Sequence, residues 1–137
     1  MNYSNIYNLG GKYMNTYLDV IKNKYAAFTG RADRKEFWLF VLFNIIAGII
    51  LGIIGGIFTA ITGSTAISYI LSGLYDLFIL VPSLAVMARR LHDTGKSGWF
   101  ILLALIPFVG EIILIVFWAM DSQPGANAYG ENPKLKA

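Results

Sequence analysis

Cysteine is absent from the 137-residue chain. No disulfide, thiolate nucleophile or cysteine-based zinc site can form, which fits a reducing compartment. Charge is scarce too: charged residues make up 14% of the sequence, against about 25% in an ordinary soluble domain. The scarcity is concentrated, because no charged side chain lies between Glu36 and Asp76. That gap is far longer than the roughly 20 apolar residues needed to cross a bilayer. These shortages argue against a soluble enzyme and against a disordered chain. What fills the gap is apolar: hydrophobic residues are 56% of the sequence, so a polytopic all-α membrane protein is predicted.

The net charge is +3. In a soluble protein such an excess raises nucleic acid as a partner. Here the basic residues lie beside apolar segments, so topology and anionic lipid account for them, and no nucleic-acid partner is expected. The first apolar run starts only at Phe37, behind six basic residues. A retained helix is therefore expected there, not a cleaved signal.

The length allows one domain. Residues 1–13 read as a dispensable extension. In 14–28, Met14, Tyr17, Leu18, Ile21, Tyr25 and Phe28 fall on one face of a 3.6-period helix. That predicts an amphipathic helix, lying either on the membrane surface or against the rest of the protein, within a cytoplasmic segment 14–36. Thr29-Gly30 interrupts it. Asp33 and Glu36 have capping-box spacing and open the transmembrane region 37–120. Three spans are predicted, at 37–58, 67–88 and 99–120, with a turn at 59–66 and a hydrophilic loop at 89–98. A span of 22 residues rises about 33 Å, enough for the hydrocarbon core. Pro107 lies within the third, which is predicted as one helix kinked there, with a re-entrant pair as the alternative; Pro107 also leaves the Leu103 carbonyl without its helical donor. The positive-inside rule puts the N-terminus and the 89–98 loop in the cytoplasm and the tail 121–137 outside. That leaves nine basic residues inside and two outside.

Three stretches carry a family resemblance: FTGRADRKEFW (28–38), VPSLAVMARRLHDTGKSGWF (81–100) and DSQPGANAYGENPK (121–134). With them the chain resembles the DUF805 family of small bacterial inner-membrane proteins, over residues 14–134. The resemblance implies a multi-spanning protein of the bacterial cytoplasmic membrane. It implies no activity. Acidic residues at 76 and 111 depart from the family pattern, and residues 1–13 precede the usual start of the family.

Three groups of residues are candidates for function. Arg89, Arg90, His92 and Lys96 form the strongest polar cluster. If a helix continues through them, Arg89, His92 and Asp93 share a face. The cluster could hold an anionic headgroup or ligand, carry a proton on His92, or simply anchor the span. Gly95-Lys96-Ser97 imitates a phosphate loop, but position 90 is Arg90 where a glycine is required. Asp93-Thr94-Gly95 imitates an aspartic-protease loop but lacks the second carboxylate. Gly48, Gly52 and Gly56 form a small-residue seam for helix packing, within the chain or between copies. Asp76 and Glu111 fall at similar depth on neighbouring spans and are read as a coupled pair, a possible proton or cation site. No catalytic residues, metal site or cofactor are expected. The function read from the sequence is non-enzymatic association with anionic lipid or with other membrane proteins, including further copies. The alternative is a small proton- or cation-handling unit using Asp76 and Glu111.

Overall fold

The computed structural model describes residues 3–136, and the side chains of residues 8–135. The chain is helical: α1 (Tyr3–Lys22), α2 (Arg34–Thr62), α3 (Ala66–Asp93), a 3₁₀ segment (Gly98–Leu105), α4 (Val109–Ala119) and a closing 3₁₀ turn (Pro133–Lys136). Among the described residues, the only β pairing is an isolated bridge between Asn127 and Gly130.

Helices α2 and α3 have 29 and 28 residues and are long and apolar enough to cross a membrane. Asp33 starts α2, its Oδ1 accepting the Glu36 N–H at 2.8 Å. This is half of the predicted capping box. The reciprocal half is missing because the Glu36 carboxylate turns away to Lys24 and Arg89. Gly63 ends α2 in the left-handed conformation, φ 69°, and donates its N–H to the Thr59 carbonyl. The outward sides of both helices are apolar and bare: Ile53 is 59% exposed and Leu77 70%. Such continuous apolar surface suits hydrocarbon rather than water.

The two helices cross at Gly55, where a Cβ would lie 2.8 Å from Ser68 Oγ. Ser68 and Thr59 both donate to the Gly55 carbonyl, at 2.8 and 2.9 Å. Further along, Tyr75 donates to Asn44 Oδ1 while Asn44 donates to the Phe40 carbonyl. Small residues and interhelical hydrogen bonds of this kind hold helices together in lipid, where apolar burial supplies no driving force. The predicted seam does not lie here. A Cβ at Gly48, Gly52 or Gly56 would meet nothing within 4 Å. The close approach uses the glycine one residue earlier because Ser68 needs the Gly55 carbonyl.

The third predicted span is not one kinked helix. The 3₁₀ segment Gly98–Leu105 and α4 are separate, with eight and eleven residues. They rise about 16 Å each, half of a hydrocarbon core. Pro107 forces the break: it pushes Ile106 into extended backbone, φ −94° and ψ 105°. Phe108 follows at φ 63° and ψ −60°, and the Val109 N–H returns to the Pro107 carbonyl at 2.7 Å. This is a γ-turn of the strained, positive-φ kind. The Leu103 carbonyl is not left free; it accepts the Ile106 N–H at 2.9 Å. Both ends of the hairpin lie at the same end of α3. Gly98 sits against Ala88 and His92, and the carbonyls of Trp118 and Met120 reach Arg90. The tail therefore does not emerge at the far end, as the three-span topology required. It packs back on residues 31 and 92–93.

Helix α1 begins before the predicted amphipathic stripe and ends at Lys22, ahead of Tyr25 and Phe28. It packs on the protein: Val20 is fully buried, and the Tyr17 ring lies 5.8 Å from Phe40 and 5.1 Å from Phe43. The extension 1–13 belongs largely to this helix, although residues 1 and 2 and the side chains of 3–7 lie outside the described residues.

The hairpin closes at Gly110, where a Cβ would overlap the Leu103 carbonyl oxygen. Gly110→Ala is expected to destabilise the fold by about 1–3 kcal/mol, the usual range for overpacking. Gly52→Ala, in open space, should be neutral or slightly stabilising. Thermal unfolding of the two variants in mild detergent checks this.

Candidate functional site

The first half of the predicted polar loop 89–98 is instead the end of α3, which runs through Asp93; residues 94–97 form the turn that follows. Arg89, Arg90, His92 and Asp93 are all buried. Asp93 is at the centre, with its side chain wholly out of solvent. Its Oδ1 accepts from Arg31 Nε at 2.9 Å; its Oδ2 accepts from Arg90 Nη1 and, at 2.6 Å, from Ser122 Oγ. Its carbonyl also accepts the Gln123 N–H at 2.8 Å.

Two guanidiniums share one carboxylate, so protein carbonyls must satisfy the remaining donors. Arg31 donates to the carbonyls of Gln123 at 2.7 Å and Gly125 at 2.8 Å. Arg90 donates to Trp118 at 2.9 Å, to Met120 and to Ala32 at 3.3 Å. The first two of these are the final carbonyls of α4, which have no helical partner and carry the negative end of the helix dipole. Arg90 is thus fully occupied in joining α3 to α4 and to the 31–32 strap.

Arg89 faces the other way. Its Nε donates to the Ala27 carbonyl at 3.0 Å and its Nη1 to Glu36 Oε1 at 2.5 Å. Lys24 reaches the same Glu36 oxygen at 3.4 Å and Asp19 at 2.9 Å. A hydrogen bond from Asn23, followed by Lys24, holds the Asp19 carboxyl below the usual carboxylate range. Arg89 Nη2 has no partner, although the side chain is only 3% exposed. Arg89 borders a cleft of about 960 Å³ between α1, the 24–36 segment and the tail, with Lys12, Lys24 and Lys35 on its walls. Asp19, Asp33, Glu36 and Glu131 line the same cleft.

His92 turns toward the tail, its ring stacked on Tyr129 at 3.9 Å. Lys96 is half-buried, with its ammonium 4.5 Å from the Phe117 ring centre. Thus Arg89, Arg90 and His92 meet in one turn but serve three different surroundings. Asp76 and Glu111 are both exposed, and no hydrogen bond or ion pair joins them or ties either to another described residue. Among the described residues, no cluster of three His or acidic side chains could hold a metal.

Sequence reasoning missed Arg31, Glu36, Ser122 and Tyr129. A signal for them existed. Each lies in one of the three quoted stretches, 28–38, 81–100 and 121–134, and these stretches converge on Asp93. A single buried acid has to find its cations elsewhere in the chain.

Removing that acid leaves two enclosed guanidiniums facing each other. Asp93→Asn is expected to cost about 3–5 kcal/mol, as breaking a buried pair does, and to abolish recovery of monodisperse protein in detergent. Asp121→Asn, which removes only the exposed pairs with Lys134 and Arg34, should leave recovery unchanged. Size-exclusion profiles of the two variants decide it.

Known proteins match along this whole framework. Inner membrane protein YhaH of Escherichia coli strain K12 is 44% identical over 124 residues, which cover 90% of this chain and 99% of that protein. Inner membrane protein YhaI of the same strain is 45% identical over 122 residues, covering 89% and 98%. No solved structure matches. A family described as a protein of unknown function, DUF805, matches residues 25–131, an interval that contains Arg31, the buried turn of α3, Ser122 and Tyr129. The chain belongs to the DUF805 family of membrane proteins.

Proposed function

We propose that this protein is a non-enzymatic, two-crossing component of the bacterial cytoplasmic membrane that holds an anionic lipid headgroup in the cleft beside Arg89. The observation that carries the reading is the unpartnered Arg89 Nη2 in a side chain that is otherwise enclosed. A buried cationic donor without an acceptor is costly; Nη2 has no open surface of its own, so a phosphate oxygen in the adjoining cleft would supply the acceptor after a small turn of the guanidinium. Lys12 and Lys35 on the cleft walls would add attraction. Arg90 takes no part, since its donors are spent on Asp93 and on carbonyls.

The topology supports this placement. All eleven Lys and Arg residues fall in α1, 23–36, 89–96 or the tail, segments that meet at one end of the molecule. The turn between α2 and α3 has none. Under the positive-inside rule the basic end is cytoplasmic. Both termini then lie in the cytoplasm, and the segment 99–120 enters the membrane and returns.

Because the chain has no cysteine, single-cysteine labelling needs no background removal. Ser64→Cys in intact cells should react with a membrane-impermeant maleimide, while a fluorescent-protein fusion at the C-terminus should glow as cytoplasmic fusions do. A dark, exported C-terminus would overturn the two-crossing arrangement.

The lipid reading is tested separately, by native mass spectrometry with phosphatidylglycerol and phosphatidylcholine. Lys12→Gln combined with Lys35→Gln removes exposed cations without touching the buried junction. Near-surface basic residues are worth about 1 kcal/mol each, so phosphatidylglycerol retention should fall roughly tenfold or more, and should fall further with salt. Retention equal to that of phosphatidylcholine before and after the change would sink the anionic-headgroup reading.

A further inference from the structure

His92 lies three residues from Arg89 but borders a different space. Beside Tyr129, which also lines the Arg89 cleft, is a groove of about 540 Å³, within the size range of small-molecule sites. Phe28, Leu84, Trp99, Ile101 and Leu102 supply most of its walls. Trp99 is 79% exposed at its rim, as suits a ring at the boundary between water and hydrocarbon. The polar side chains that reach the groove are few. Ser97 Oγ already accepts the Trp99 N–H at 3.3 Å. The other is His92.

The imidazole is fixed from two sides. Tyr129 stacks on its face, nearly parallel at 5°. Its Nδ1 lies 3.0 Å from the Gly30 carbonyl. A carbonyl can only accept, so Nδ1 carries the hydrogen and the neutral ring keeps a lone pair on Nε2. No described residue donates to that nitrogen. Gly98 leaves it uncovered: a Cβ there would lie 3.3 Å from Nε2 and 3.2 Å from the Ala88 Cβ. An acceptor aimed into an apolar groove selects a donor and disfavours an anion, whose oxygens would face the lone pair.

We infer that this groove receives a neutral hydroxyl-bearing lipid, whose O–H donates to His92 Nε2 while its hydrocarbon lies against Leu84 and Leu102. The site differs from the Arg89 cleft in position and in ligand charge, and it stands whether or not that cleft holds an anionic headgroup.

The chain has one histidine, so ring-nitrogen-15 NMR of a protein without a histidine tag reports on His92 alone. In phosphatidylcholine nanodiscs Nε2 should resonate as an unprotonated nitrogen. It should move upfield when dioleoylglycerol is added, and should not respond to the O-methyl ether of the same lipid, which has no donor. Gly98→Ala should abolish the response while leaving the Nδ1 resonance in place. If Gly98→Ala does not accumulate, Leu84→Trp fills the groove from the lipid side and should give the same loss. A protonated Nε2 before addition, no shift with dioleoylglycerol, an equal shift with the ether, or a response that survives groove filling overturns the proposal.

Discussion

A carboxylate with no access to water must be surrounded by donors, and Asp93 imposes that requirement on the whole basic end of this protein. It is met by one arginine three residues before the start of α2, one from its own helix, and one serine from the tail. Those arginines in turn need more acceptors than one acid provides. They find them in carbonyls at the end of α4, in the 31–32 strap and in residues 123–125. Segments separated by more than 90 residues are therefore held by a single connected set of charge-assisted bonds. In a network of this kind each member depends on the others being satisfied, and the loss of one leaves buried charge behind.

The same junction explains why the last apolar segment turns back. Its two ends are tied to neighbouring residues of α3: Gly98 packs on Ala88, and the carbonyls of Trp118 and Met120 receive Arg90. A segment fastened at both ends to one level has to return, and Ile106–Pro107–Phe108 supplies the reversal. Elsewhere α2 and α3 are joined by a glycine crossing and by hydroxyl and amide contacts. The strong electrostatics lie at one end, and weak, closely packed contacts fill the rest. The basic end then presents two unlike openings, a charged cleft at Arg89 and an apolar groove at His92. Arg89 and His92 share a face of α3, but Arg89 turns to Ala27 and Glu36 while His92 turns to Gly30 and Tyr129.

Much of the helical framework was legible in advance. The 3.6-period stripe, the Asp33–Glu36 spacing and the uncharged gap located α1, α2 and α3, because each depends on residues close in sequence. Boundaries failed where a distant partner intervened. The helix α3 continues through Arg89–Asp93 since tertiary partners supply the bonds that a solvated loop would have taken from water. Glu36 abandons the capping box since Arg89 and Lys24 are stronger partners than a backbone amide. Within the chain the crossing uses Gly55 and not Gly48, Gly52 or Gly56, because spacing alone does not say which of several glycines meets a serine on the other helix. The third span was misread because hydropathy measures apolar length, and Trp99–Met120 has enough of it; only Pro107 and the positive-φ turn at Phe108 reveal that the length is folded in half.

By itself the sequence determined that this is an all-helical membrane protein, that its cations gather in a few segments, and that the block around Arg89–Asp93 is its polar centre. Composition and local periodicity are enough for that, since lipid admits few alternatives to helices. Tertiary structure decided which of the clustered residues are enclosed and which remain available. Arg90 is consumed within the protein, Arg89 keeps one donor, His92 keeps one lone pair, and Asp76 and Glu111 stand unpaired. Those outcomes depend on carbonyls and side chains up to 62 residues away, and no spacing within a single helix records where such partners will lie.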